Sequence, residues 1–281
     1  MRTVTTIAAA RAELDAARAA GSTVGFVPTM GYLHDGHASL MRQARGETDL
    51  VVASIFVNPL QFGAGEDLDA YPRDLDRDTA LSVAAGVDLL FTPTAAEMYP
   101  TPVLTTVHVA QVSAPLEGVS RPTHFAGVAT VVAKLFSIVG PCRAYFGAKD
   151  FQQVAVVRRM VHDLSMPVEV VACPTRREAD GLAMSSRNVY LSADERAAAP
   201  VLYRALRAGA AAIGAGERDP AAVRSLMAQI IEAEPLAGLD YAAVVDADSF
   251  TVPEPLAGNL RLLAAVRFGR ARLIDNVGVT V

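Results

Sequence analysis

Apolar residues along this chain fall into short blocks of about four to eight, separated by longer stretches in which they recur at helical spacing. Residues 5–20 are rich in alanine, with Ile7 and Leu14 on one side, and predict a helix closed by Gly21. The apolar run 23–27, stopped by Pro28, suits a strand buried on both faces. The pattern then repeats: a helix near 37–45, a strand at 50–57, a long acidic loop at 58–73, a helix at 74–85 and a strand at 89–93. A short strand at 104–109 is followed by a helix at 125–139, a strand at 142–147, a helix at 151–164 and a strand at 168–173. Such alternation predicts βαβ units and an α/β fold: a Rossmann-like, doubly wound parallel sheet.

The rhythm changes at Pro174. The polar stretch PTRREADGLAMSSRN, residues 174–188, is too long and too uncapped for a regular element, and loops of this kind in compact enzymes usually carry function. It divides the chain into a domain over 1–175 and a smaller α+β C-terminal domain over 176–281. In the latter, Ser192 followed by Glu195 forms a capping box that opens a helix to about residue 213, and Pro220 starts another. Strands near 239–247, 259–267 and 272–281 complete it.

Composition narrows the class. In 281 residues, 52% hydrophobic and 20% charged, there is enough apolar surface for one large core or two modest ones. A net charge of -5 supplies no positive field for nucleic acid or an anionic membrane. The two cysteines, Cys142 and Cys173, lack the spacing of a zinc site or disulfide framework, and no apolar run reaches the ~18 residues of a membrane span. Arg11, Glu13, Asp15 and Arg18 interrupt the N-terminal alanine run, which therefore does not read as a signal peptide. The expectation is a cytoplasmic protein.

Ligands of an open parallel sheet bind outside the carboxyl ends of its strands, and the polar residues there are the candidates for chemistry. His34-Asp35-Gly36-His37 follows the first strand and sits at a helix N-terminus, where unpaired N–H groups and the helix dipole attract phosphate. The pair also reads as an incomplete zinc site, metal ligands otherwise unknown, or as capping and loop histidines. Lys149 and Asp150 lie between a strand end and a helix; they suit a charged phosphate with Mg²⁺ or a ribose hydroxyl, or simply a solvated, helix-capping ion pair. Met184-Ser185-Ser186-Arg187 offers two hydroxyls and a guanidinium to a triphosphate, as many serine-rich loops would. Gln61 and Gln153 are uncharged amides suited to orienting a hydroxyl-bearing carboxylate, and Arg121 and His124 either bind an anion or cap the helix after them.

Five segments in order, PTMGYLHDGH, SIFVNPLQFGAGEDLDAYPR, RPTHFAG, YFGAKDFQQ and READGLAMSSRN, resemble the pantothenate synthetase (pantoate–β-alanine ligase) family over nearly the whole chain. That family belongs to the nucleotidyltransferase superfamily with a HIGH-like motif, a slot filled here by His34 to His37. The resemblance implies condensation of pantoate with β-alanine, driven by ATP with Mg²⁺, through a pantoyl-adenylate, releasing AMP and pyrophosphate. It implies an ATP site of Met30, Gly31, Tyr32, Leu33, His34, Asp35, Gly36, His37, Gly147, Ala148, Lys149, Asp150, Arg176, Met184, Ser185, Ser186 and Arg187. Within that set, His37 is the family's proton donor, and His34, Lys149, Ser185, Ser186 and Arg187 are further catalytic groups. Gln61, Gln153, Pro28 and Met30 fall to pantoate, with Gln61 also near β-alanine. The resemblance further implies a homodimer and a C-terminal domain covering the ATP site. Ala148, Arg176 and Tyr32 depart from the usual residues, and at 148 and 176 backbone contacts are expected to matter most. The loop 62–73, with Gly63 and Gly65 as hinges, is the candidate lid.

Overall fold

The computed structural model describes residues 1–63 and 68–281, and its contacts divide the chain into two units. The first comprises Met1–Ala148 and Gln152–Pro174; the second comprises Lys149–Phe151 and Thr175–Val281. The short segment from Lys149 to Phe151 is thus grouped with the second unit, although strand and helix on either side of it belong to the first.

The first unit is built on six parallel strands: β1 (Arg2–Val4), β2 (Val24–Thr29), β3 (Leu50–Ile55), β4 (Leu89–Phe91), β5 (Cys142–Gly147) and β6 (Val168–Cys173). Their order is β1-β4-β3-β2-β5-β6. Helices α1 (Ile7–Ala19), α2 (Asp35–Glu47), α3 (Leu75–Ala84), α6 (His124–Val139) and α7 (Phe151–Asp163) connect them, with single turns α4 (Ala95–Met98) and α5 (Glu117–Ser120). This is the doubly wound parallel sheet the alternation predicts. Its order reverses at β2, which has β3 on one side and β5 on the other, and the reversal is where such sheets open for ligands.

The opening is visible in the register. Along β2 all six residues pair with β3, but only Gly25 and Phe26 pair with β5. Beyond Phe26 the strand is edge-like, and there the N–H that Pro28 lacks costs no ladder bond, so the strand runs through Pro28 to Thr29 instead of stopping before it. Gly25 is required for packing, because a Cβ there would meet the Ala44 Cβ at 3.2 Å and crowd the Thr48 side chain of α2.

Two sequence expectations fail. Residues 104–109 are not a strand, since the segment has no β-ladder and its Val107 N–H goes to the Thr130 hydroxyl at 2.9 Å. The helix expected from Ser192 to about 213 is two helices, α8 (Ala193–Ala198) and α9 (Val201–Gly214), divided at Pro200. The capping box itself is present, with Ser192 and Glu195 bonded to each other's backbone N–H.

In the second unit, α9 and α10 (Pro220–Glu232) pack on an antiparallel sheet of β7 (Gly238–Asp246), β8 (Asn259–Phe268) and β9 (Ala271–Thr280), ordered β7-β8-β9. Leu202, Leu206, Met227, Leu262 and Phe268 anchor its core. Gly209 lets α9 approach closely, for a Cβ there would stand 2.7 Å from Leu262. No described helix is long and apolar enough to cross a membrane.

Candidate active site

In the first unit, β2 leads through Gly31 and Tyr32, both left-handed at φ 84° and 48°, into α2. A carboxylate holds this turn: Asp78, 1% exposed on α3, accepts the N–H groups of Tyr32 at 2.7 Å and Leu33 at 2.6 Å. Burial pushes the Asp78 carboxyl up, opposed by those two hydrogen bonds and by Arg77. Arg77 also lies 4.8 Å from the Tyr32 ring, which gives this departure from the family pattern a partner on α3.

His34 caps α2 and His37 is the third residue inside it. The His34 Nδ1 accepts the Gly36 N–H at 3.1 Å, and the His37 Nδ1 accepts the His34 N–H at 3.3 Å. A ring that accepts at Nδ1 carries its neutral-form proton on Nε2. Both imidazoles are therefore set as Nε2–H donors, their rings 4.1 Å apart, at the positive end of a helix. Capping, one of the alternatives at the level of sequence, uses the Nδ1 atoms and so does not compete with donation from Nε2. Among the described residues no group of three His, Cys, Asp or Glu could hold a metal ion.

Gln61 lies in a 3₁₀ turn, Pro59–Gln61, just past β3, and is 7% exposed. Its amide donates to the Met30 sulfur at 2.8 Å and accepts from Asn58 at 3.2 Å. Asn58 is fixed in turn by the Gly127 carbonyl at 3.1 Å and by the Tyr99 hydroxyl at 2.9 Å; burial pushes that phenol up to about 12, so it remains a donor. Arg121 and His124 both reach the Gln61 carbonyl, at 3.2 and 3.0 Å. Both thereby help to hold the turn that carries Gln61. Gln153 is half-buried on α7, while its neighbour Gln152 is spent on the carbonyls of Val112 and Pro115 and the Glu117 N–H.

Gly127 allows α6 to lie against the 3₁₀ turn. A Cβ there would stand 2.6 Å from the Gln61 Cα and collide with the Leu60 carbonyl. Gly127→Ala is expected to cost about 1–3 kcal/mol in urea titration, the scale of overpacking a tight contact. An unchanged midpoint would show that the turn moves freely.

Gly147 ends β5 and Ala148 follows it, both in the first unit, and the second unit carries the remaining candidates. Lys149 pairs with Asp150 at 3.2 Å, and its carbonyl accepts the Asn276 side-chain amide at 2.7 Å. In the loop that follows β6, Met184 donates its N–H to the Arg176 carbonyl at 3.0 Å, so Arg176 contributes backbone while its side chain is exposed. Ser185 caps the 3₁₀ turn Ser186–Tyr190 and accepts the Arg187 N–H at 3.3 Å. Ser186 is 9% exposed. Of the candidate lid, Ala64 to Asp67, including the hinge candidate Gly65, lie outside the described residues. Its far end is tied back by Arg73, which donates to the carbonyls of Leu68 and Tyr71 at 3.0 Å.

Burial pushes the Cys142 thiol up to about 12 and the Cys173 thiol up to about 11, so neither is a thiolate nucleophile at neutral pH. Sequence reasoning marks Asn58 as a polar residue at a strand end without its supporting role, and misses Tyr99, Gly127, Asp78 and Asn276, of which only Gly127 lies inside a segment already singled out.

A parallel sheet opening beside β2, with two imidazole donors at the start of the helix that follows, suits an α/β enzyme that handles phosphate. Comparison with known proteins makes this specific. The family described as pantoate-beta-alanine ligase matches residues 2–278. Pantothenate synthetase of Roseiflexus sp. (strain RS-1) is 57% identical over 277 residues, 98% of each chain, and that of Heliobacterium modesticaldum is 59% identical over 261 residues, 93% of each. The crystal structure of pantothenate synthetase from Thermus thermophilus superposes with a TM-score of 0.95 at 54% identity, covering both chains fully. The Francisella tularensis pantoate-beta-alanine ligase, complexed with beta-gamma ATP and beta-alanine, does so at 0.81 with 33% identity, covering 99% of this chain and 97% of its own. The chain belongs to the pantoate–β-alanine ligase family.

Proposed function

We propose that this enzyme condenses (R)-pantoate with β-alanine to give pantothenate, in the cytoplasm and as a homodimer, consuming ATP and releasing AMP and pyrophosphate. Full-length membership in the ligase family carries the reading. The Francisella tularensis complex supports ATP and β-alanine as its ligands.

A carboxylate resists an amine because its leaving group would be oxide. In the proposed first step a pantoate carboxylate oxygen bonds to the α-phosphorus of ATP as the bond to pyrophosphate breaks. In the second the β-alanine nitrogen bonds to the acyl carbon as AMP leaves. Charge builds on the phosphate oxygens, and fixed donors aimed at them are worth most. His34 and His37 are assigned Nε2–H donation, and Lys149, Ser185, Ser186 and Arg187 are assigned as the further donors. Met30, Gly31, Tyr32, Leu33, Asp35, Gly36, Gly147, Ala148, Asp150, Arg176 and Met184 complete the proposed nucleotide contacts. Gln61 and Gln153, with Pro28 and Met30, are assigned to pantoate. The rigid mounting of Gln61 by Asn58, Arg121 and His124 supports this, because an orienting amide must itself be held.

Mg²⁺ fits the site as a companion of the nucleotide. It would be held chiefly through the nucleotide's phosphates and water, with a carboxylate such as that of Asp150, and so would need no protein cage. When bound, it would neutralise charge on the triphosphate. The deciding measurement is pyrophosphate release from ATP plus pantoate, followed by AMP and pantothenate on adding β-alanine. Pyrophosphate without pantoate, or no pantothenate with all three present, overturns the assignment.

A further inference from the structure

Two segments of the second unit that are far apart in sequence converge on neighbouring residues of β9, Asp275 and Asn276. These are 3% and 4% exposed. Asp275 takes a two-pronged grip from Arg177, with Nη1 to Oδ2 at 2.5 Å and Nη2 to Oδ1 at 2.9 Å. Arg177 also donates to the Gly181 carbonyl at 3.1 Å, and its guanidinium lies 3.8 Å from the centre of the Tyr203 ring. The turn so clamped is closed by Glu178 N–H to the Leu182 carbonyl at 2.8 Å and by a bridge between Arg177 and Ala183. It leads directly into Met184, Ser185, Ser186 and Arg187.

Asn276 serves the other segment. Its backbone N–H returns to Asp275 Oδ1 at 2.7 Å, and its side-chain amide donates to the Lys149 carbonyl at 2.7 Å. Phe151, two residues on, packs between the Arg261 guanidinium at 3.8 Å and the Phe250 ring at 5.9 Å. Lys149 is thus mounted on the sheet of the second unit, which accounts for the grouping of residues 149–151 with that unit.

We propose that Asp275 and Asn276 are positioning residues, which fix the Lys149 backbone and the Ser185–Arg187 loop to one strand as a single preformed set of phosphate donors. A polar pair buried this deeply is costly unless fully bonded, and its bonds here go to the two segments assigned to phosphate. Neither residue touches substrate in this scheme; each acts through a group that does. The proposal rests on the role given to Lys149 above, and the test separates the two.

Asn276→Ala removes the donor, and Asn276→Asp removes it at nearly constant shape. Both are expected to lower kcat for pyrophosphate release by ~10²-fold, the scale of a roughly 1 Å misplacement, with KM for pantoate unchanged. In a Lys149→Ala background, Asn276→Ala should change the rate by no more than about twofold, because coupled residues do not add. Full additivity in that double variant, near-parent turnover in either single variant, or loss of cooperative melting in both overturns the proposal. Near-parent turnover in Lys149→Ala alone instead overturns the function assigned to the lysine.

Discussion

His37→Ala is expected to slow pyrophosphate release from ATP and pantoate by ~10²-fold or more, the scale of removing one fixed donor from a developing charge. The imidazole Nδ1 accepts the His34 N–H at 3.3 Å, and in the proposed scheme its Nε2–H donates to a phosphate oxygen at the N-terminus of α2. Truncation therefore also removes half of a capping box, costing about 1 kcal/mol of stability. His37→Gln separates the two effects, since glutamine is a usual residue at that position of the box. The glutamine variant should recover most of the melting temperature and little of the rate. Near-parent turnover in His37→Ala would remove the residue from the chemistry, and full rescue by glutamine would reduce it to a cap.

The alternation of apolar blocks and amphipathic stretches was enough to read a doubly wound sheet and a smaller α+β unit, because each element carries its own periodicity. The failures arise where pairing or a single residue decides. Residues 104–109 have strand-forming side chains, but strand propensity is realised only against a neighbour, and this segment hydrogen-bonds instead to Thr130. The three residues of β1 are too few to show a period, and they form a strand only because β4 lies beside them. Pro200 splits a helix that the capping box alone would extend.

For the candidate site the same division holds. The histidines, Lys149, the two serines and Arg187 were legible as types of donor in an order that a known family shares. What mounts the candidate groups was not, because it comes from distant parts of the chain: the Asn58 that holds Gln61 is fixed by Gly127 across 69 positions, and Asn276 reaches Lys149 across 127. A sequence read locally shows which groups could act. The residues that aim those groups emerge only when the chain is folded.

Asp78 gives this distinction its strongest test, because nothing in its local sequence sets it apart from Asp74 and Asp76, which are exposed. It alone turns inward, to accept the N–H groups of Tyr32 and Leu33. Asp78→Ala leaves those two donors without their acceptor beside a backbone already in the left-handed region at Gly31 and Tyr32. At about 1–3 kcal/mol for each unsatisfied donor, the expected loss in urea titration is about 2–6 kcal/mol. Asp78→Asn keeps one accepting oxygen but turns an amide toward the second N–H, so it should fall between the parent and Asp78→Ala. Space alone does not explain the carboxylate's place, since a Cβ on Gly31 would stand only 3.0 Å from Asp78 Oδ2, and Gly31→Ala should also destabilise. If the turn exists to aim α2 at phosphate, Asp78→Asn should raise KM for ATP more than KM for pantoate. A loss below about 0.5 kcal/mol in Asp78→Ala, the range of ordinary surface substitutions, would show that the turn holds its shape without the carboxylate.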